Sequence, residues 1–437
     1  MVSRWISCLV LTVTWLVLPL ATAQGAISFI GKGSIPGSAR DNLGLTEPID
    51  ANGTPQNLMG GLGSGLAYTG FGNTYIATPD RGPGDGASTY LDRFYRFQIT
   101  IDPLAKTVTP KLLATQLLSK GPAFPGQIFT GSAMAFDGTN SPASLRFDPE
   151  GVRVGRTGTI YISDEYGPFV YEFDAFGNRL RSLTIPPKFL ITPPGVPSAD
   201  PGVELTNPSG RQANRGMEGL AINPEGTKLY GIMQNALIQD NALDGSLKRV
   251  GKNNRLLEID LSSGATREFL YQLEDKSNGV NEILAINDHE FLVLERDGKA
   301  GSSAKFKKIF KIDIAAATDI SGIASLPKSS VPPGVTPAAK ELFLDLLDPQ
   351  FGLAGEDFPE KIEGLAFGPF LADGRLPLLV TSDNDFLPDN PSVFYAFAID
   401  AAELNYQPQV VVPLPASLFL LASGLLGLAA WKRAGTM

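Results

Sequence analysis

A chain of 437 residues with 43% hydrophobic and 19% charged residues can bury a sizeable core, which excludes disorder by composition. Glycine (47) and proline (34) favour many short strands joined by turns over long helices. The net charge of −9 excludes a nucleic-acid partner, because no basic excess exists to neutralise phosphates.

In chain order, residues 1–23 read as a secretory signal peptide. Arg4 supplies the positive start, Ile6 to Leu20 is apolar, and Ala21-Thr22-Ala23 is a small-x-small cleavage site. The single cysteine, Cys8, lies in that leader, so the exported body has no disulfide, no thiol nucleophile and no thiolate metal site. The single histidine, His289, sits in the polar turn Asn287-Asp288-His289-Glu290 and reads as an exposed turn residue. Two-histidine zinc chemistry is excluded. What remains is carboxylate, amide, hydroxyl and arginine chemistry, which suits hard, oxygen-bound cations.

The body, residues 24–408, repeats one layout five times. A first strand (Gly65-Leu66-Ala67-Tyr68, Pro149-Glu150-Gly151-Val152, Met217-Glu218-Gly219-Leu220-Ala221, Asn281-Glu282-Ile283-Leu284-Ala285, Ile362-Glu363-Gly364-Leu365-Ala366) is followed by a second that ends in acids or amides. A third strand ends in Asp174, Asp260, Asp313 or Asp400, and a fourth follows in several repeats. Starts are 86, 68, 64 and 81 residues apart. Four short strands at such a period predict an all-β fold, a β-propeller of five or six four-stranded blades. A sixth blade would lie in 102–145 or 297–340, or be closed jointly by Ile27-Ser28-Phe29-Ile30 and the last strands. The Pro/Gly/Ser-rich stretches 186–213 and 325–340 read as surface loops.

Residues 409–437 form a tail. Val412-Pro413-Leu414-Pro415 precedes an apolar run from Ala416 to Trp431 and then Lys432-Arg433, a pattern predicting a transmembrane helix with the body outside. The tail resembles a PEP-CTERM sorting signal. That resemblance implies processing by an exosortase-type enzyme and a periplasmic, outer-surface or extracellular body, anchored transiently in the inner membrane.

In a propeller the start of strand one and the end of strand two share one face. There the sequence puts Glu150, Glu218, Glu282 and Glu363 with Asp80, Asp164, Glu165, Glu295, Asp297, Asp383 and Asp385. Each acid alone has a plain explanation: strand-end Asp caps turns, and Glu before Gly can bond neighbouring blades. Together they repel unless cations intervene, and Ca²⁺, with six to eight oxygen ligands, is the expected one. The candidate metal ligands are Asp80, Glu150, Asp164, Glu165, Glu218, Glu282, Glu295, Glu363, Asp383 and Asp385. Arg81, Arg215 and Arg296 lie among them as candidate phosphate clamps. With Glu218, Glu363 and Asp164 they form the candidate catalytic set.

The strings Asn214-Arg215-Gly216-Met217-Glu218-Gly219-Leu220-Ala221, Ser163-Asp164-Glu165-Tyr166-Gly167-Pro168-Phe169 and Glu360-Lys361-Ile362-Glu363-Gly364-Leu365-Ala366, with Ser382-Asp383-Asn384-Asp385-Phe386, resemble the phytase-like family of esterase-like activity over roughly residues 60–400. The resemblance implies a propeller outside the cytoplasm that hydrolyses small phosphate or carboxylate esters. A Ca²⁺-dependent route agrees with the absence of cysteine and paired histidines in the body. The alternatives are a non-catalytic, Ca²⁺-stabilised matrix or polysaccharide-binding propeller, and a lactonase-type propeller with one central metal. A monomer is expected.

Overall fold

The computed structural model describes residues 27–136, 142–191 and 207–412. The signal peptide, and the tail from residue 413 with its apolar run, lie outside the described residues. Among the described residues no helix is long and apolar enough to cross a membrane.

Strand β1 spans Ile27–Ile35. Blade one holds β2 (Leu62–Tyr68), β3 (Thr74–Pro79), β4 (Arg93–Asp102) and β5 (Thr107–Leu117). Blade two holds β6 (Pro149–Val154), β7 (Ile160–Asp164), β8 (Val170–Phe173) and β9 (Arg179–Ser182). Blade three holds β10 (Met217–Ile222), β11 (Lys228–Met233), β12 (Asn253–Asp260) and β13 (Thr266–Gln272). Blade four holds β14 (Gly279–Ala285), β15 (Glu290–Arg296), β16 (Lys307–Asp313) and β17 (Ala339–Asp345). Blade five holds β18 (Lys361–Phe367), β19 (Leu376–Asp383) and β20 (Ser392–Ile399).

Each blade is an antiparallel meander, and the innermost strands touch in the cyclic order β2, β6, β10, β14, β18, β2. The ring closes at five blades. Residues 102–117 give the outer hairpin of blade one, and no sixth sheet appears among the described residues. The fourth strand of blade five is β1, antiparallel to β20 from Ile27↔Ile399 to Ile35↔Ser392, so the two ends of the body lock the ring. β1 also touches blade one through the parallel pair Lys32↔Thr107. A Cβ on Gly33 would lie 1.7 Å from Val108 O, so this contact requires glycine.

Both faces of most strands are apolar because each blade packs against two neighbours. Five clusters fill the five clefts. Leu294 of blade four meets Leu365 and Val380 of blade five. Leu379 meets Leu66 and Phe97 of blade one, and Ile76 meets Val152 and Tyr171 of blade two. Tyr161 meets Leu220 and Leu257 of blade three, and Ile232 meets Val280 and Val293 of blade four. Burial on this scale, at about 25 cal/mol per Å² of apolar surface, replaces the disulfides the chain lacks.

The acids at the ends of the third strands cap turns. Asp174 accepts from the N–H groups of Phe176 and Asn178, Asp260 from Ser262 and Ser263, and Asp400 from Ala402. Asp313 accepts from Ala315 N and stands 2.8 Å from Nδ1 of the half-exposed His289. After β20 the chain crosses the lower face as a strap. Gln407, Val410 and Val412 donate their backbone N–H to Ile286 O, Pro224 O and Arg156 O, one in each of blades four, three and two.

Candidate functional site

The upper mouth of the channel is built from one repeated irregularity. In all five blades the pairing of the first two strands slips where β2, β6, β10, β14 and β18 enter the channel. Such a bulge re-aims the extra residue out of the ladder. In blade three the bulged residue is Glu218, between the pairs Met217↔Met233 and Gly219↔Ile232. In blade four it is Asn281, between Val280↔Glu295 and Glu282↔Leu294.

That one-residue difference separates Glu282 from the other glutamates. Glu282 stands where blades two, three and five have Gly151, Gly219 and Gly364, and it turns into the channel wall. Its carboxylate accepts from the N–H groups of Leu220 (3.1 Å) and Ile283 (2.9 Å) and pairs with Arg153 at 3.1 Å. Burial pushes its pKa up to about 8 against the pull of Arg153.

Three more predicted ligands do structural work outside the mouth. Asp164 accepts from the N–H groups of Asp148 (3.0 Å), Tyr166 (3.1 Å) and Gly167 (2.8 Å), pinning the turn after β7. Glu295 is surrounded by Tyr271 Oη (2.9 Å), Glu274 N (2.8 Å), Asn278 Nδ2 (2.9 Å) and Lys340 Nζ (2.9 Å). Asp383 is fully enclosed beside Lys361 Nζ at 3.0 Å. Asp297 caps Lys305 and Phe306 and pairs with Lys307 at 3.0 Å.

The remaining predicted residues converge on a cavity of about 490 Å³: Asp80, Arg81, Glu150, Glu165, Arg215, Glu218, Arg296, Glu363 and Asp385 all line it. Carboxylate oxygens of Glu150, Glu165 and Glu218 come within 4.8 Å of one another, and all three residues are buried. Asp80, Asp148 and Glu150 form a second such group, and Asp80, Asp383 and Asp385 a third.

Cations are unevenly shared among these groups. Lys361 fills the third, 3.3 Å from Asp80 and 3.0 Å from Asp383 and also paired with Asp385. Arg81 binds Asp148 and stands 3.5 Å from Glu165. Arg296 holds Glu363 at 2.7 Å, and Asn281 Nδ2 lies 3.3 Å from Glu218 and 3.5 Å from Glu363. In the first group the ion pair among the described residues is the edge of Arg81 on Glu165, while Arg215 and Arg296 act on Glu218 from further off. Glu218 is buried, yet its Oε2 has no hydrogen-bond partner.

The electrostatics follow that distribution. Burial, then the neighbouring Glu165 and Glu363, push Glu218 well above the carboxylate range. Burial, then Glu218, Asp80, Asp148 and Glu165, do the same to Glu150. Burial also raises Asp148, against Arg81. Asp80 goes the other way: although burial opposes it, Lys361 and Arg81 bring it down to about 2. An all-oxygen trio that cannot ionise fully alone is a donor set for a hard divalent cation, which the orphaned Oε2 fits.

Asp148, Lys361, Asn281 and Arg249 were not singled out in the sequence. Asp148 stands two residues before Glu150 and takes the strongest hold on Arg81. Lys361 opens β18 and resembles a surface lysine until its three aspartates are placed around it. Asn281 shows itself only through the bulge, and Arg249 comes from the long β11–β12 connection.

A ring of five blades around an acidic, arginine-lined mouth defines a β-propeller. The chain belongs to the phytase-like family, "Esterase-like activity of phytase", whose pattern matches residues 57–386. It is 28% identical over 344 residues to an uncharacterized secreted protein of Arthroderma benhamiae, covering 63% of this chain and 64% of that relative's length. Among solved structures it is similar to a luciferin-regenerating enzyme (13% identity, TM-score 0.36, 82% of this chain and 97% of the other). It is also similar to regucalcin, a calcium-binding protein of Agrobacterium tumefaciens (11%, 0.34, 86% and 98%), and to a Xanthomonas campestris gluconolactonase (10%, 0.32, 84% and 97%). These structural likenesses carry no chemistry over to this chain.

Proposed function

We propose that this chain is an exported ester hydrolase that works at the upper mouth and depends on a divalent cation, Ca²⁺ by its donor set. The observation that carries the reading is the buried trio Glu150, Glu165 and Glu218, with Glu218 Oε2 left without a partner. A bound cation would supply charge neutralisation and polarisation of the ester. The chain's own residues do the rest. Arg81 fixes Asp148 and Glu165 from one side, and Arg296 fixes Glu363 from the other. Glu363, steadied by Arg296 and Asn281, accepts the proton of the attacking water and returns it to the alcohol oxygen as the ester bond to it breaks. Arg215, on the rim, stabilises the oxyanion that develops.

Membership of a family with esterase-like activity and the secreted Arthroderma relative support export and hydrolysis. Export uses residues 1–23, and the tail is read as a sorting signal handled by an exosortase-type enzyme. The body acts as a monomer on a small phosphate or carboxylate ester. The test is hydrolysis of a chromogenic phosphomonoester and a chromogenic acetate ester by chelator-stripped protein, with and without added Ca²⁺. Turnover that appears only with Ca²⁺ supports the reading. Cation binding without turnover of either ester overturns it in favour of a recognition propeller.

A further inference from the structure

The arginines of the mouth divide into two kinds. Arg81 and Arg296 are held by carboxylates at short range and act within the protein. Among the described residues neither Arg215 nor Arg249 has a carboxylate within ion-pair distance, and Arg215 acts on Glu218 only from further off. Arg215 Nη1 donates to the neutral amide of Gln234, and Arg249 Nη1 donates to the neutral amide of Asn235 at 3.3 Å. Both guanidiniums line the same cavity on the blade-three side, half-buried, and both lean on the two consecutive amides that follow β11. Burial, then the like charge of Arg215, weakens the hold of Arg249 on its proton. Two guanidiniums brought together without an ion-paired carboxylate repel, and a bound anion relieves this by accepting from both forks at once.

We infer that Arg215 and Arg249 form an oxyanion clamp on the blade-three rim, which selects esters carrying a negatively charged group. The inference rests on the hydrolase reading for the reaction but not for the binding. Arg215 also faces Glu218, whose charge it favours, so the clamp stands next to the proposed cation trio. A substrate anion held there has its ester bond directed at Glu218 and Glu363. Neutral esters find no partner for this pair, so the substrate class narrows to phosphate esters or esters of a carboxylate-bearing molecule.

The test is calorimetric titration of inorganic phosphate, and separately of acetate, into the full chain with and without Ca²⁺, for wild type, R249Q and R249K. Matching thermal midpoints establish that the variants fold. Phosphate is expected to bind the wild type, with at least about tenfold weaker affinity in R249Q and an intermediate value in R249K, since charge-assisted bidentate bonds are the strong ones. Preference for phosphate over acetate identifies a phosphoryl group, and preference for acetate over phosphate identifies a carboxylate. Unchanged phosphate affinity in R249Q, or no binding of either anion, overturns the clamp even where Ca²⁺-dependent ester hydrolysis is found. Arg249-dependent phosphate binding without any hydrolysis upholds the clamp and removes the hydrolase reading instead.

Discussion

Arg153 of blade two reaches Glu282 of blade four across the channel, 3.1 Å from its carboxylate. The same guanidinium donates to Leu66 O of blade one at 2.9 Å and to Ile283 O of blade four at 2.6 Å. One buried side chain thus staples three blades and separates the acidic upper mouth from the apolar lower one, which includes Tyr68, Phe367 and Tyr406. Leaving a buried carboxyl and the backbone carbonyls around it without their hydrogen-bond partner costs about 1–3 kcal/mol. Arg153→Met is therefore expected to lower the unfolding free energy by about that much, and the double variant Arg153→Met/Glu282→Leu to recover part of the loss. Chemical denaturation of the three proteins checks this. Equal stability of the single and double variants would contradict it.

The pH dependence of the metal-free protein follows from two acids shifted in opposite directions. Glu282 is raised to about 8 from an ordinary 4.5, so folding takes up a proton between those values. Its contribution is fully present below about pH 4.5 and is lost as pH rises through about 8. Asp80 is lowered from 3.8 to about 2, so its contribution is present above 3.8 and is lost as pH falls through about 2. Thermal midpoints in chelator are expected to peak near pH 4 to 5, in the gap between these two windows, and to fall towards pH 8. A midpoint rising steadily from pH 5 to 8 would contradict the assignment.

Ligand acids and structural acids respond differently to amide substitution. Glu218→Gln removes one charge from a repelling trio, so the metal-free protein gains stability while cation affinity falls at least about tenfold. Asp164→Asn and Glu295→Gln break satisfied buried networks, so each is expected to cost about 1–3 kcal/mol and to leave cation affinity at the wild-type value. Melting curves with and without Ca²⁺ separate the two groups.

Lys361 occupies the Asp80, Asp383 and Asp385 nest as a built-in cation. Lys361→Met empties that nest of positive charge. The variant is expected to be less stable than wild type in chelator, and to bind one more Ca²⁺ per chain with recovery of its melting temperature. An unchanged stoichiometry would show that the nest does not admit a metal.

The five repeats were legible because each blade reuses the same apolar alternation; Ile27–Ile30 reads in sequence only as one candidate part of a sixth blade, whereas β1 completes blade five. The convergence of Asp80, Glu150, Glu165, Glu218 and Glu363 was legible from strand direction alone. Glu282 was not. The glutamate of blade three stands in the bulge and that of blade four one residue after it, and a shift of one turns a side chain to the other face without altering the apolar pattern. Asp164 and Glu295 looked like ligands because sequence gives residue type and strand end, but not whether a backbone N–H already fills the carboxylate. Lys361 was missed because its meaning depends on aspartates more than twenty residues away, and Arg249 because the partner it donates to is the neutral amide of Asn235.

The most direct test of the central claim is calorimetric titration of Ca²⁺ into the chelator-stripped chain and into Glu218→Gln, with phosphomonoester hydrolysis followed on the same samples. Tight binding and Ca²⁺-dependent hydrolysis in the wild type, both lost in Glu218→Gln, are the predicted result. Hydrolysis that persists in chelator, or a Ca²⁺ isotherm unchanged by Glu218→Gln, would contradict the account of the trio as the cation site.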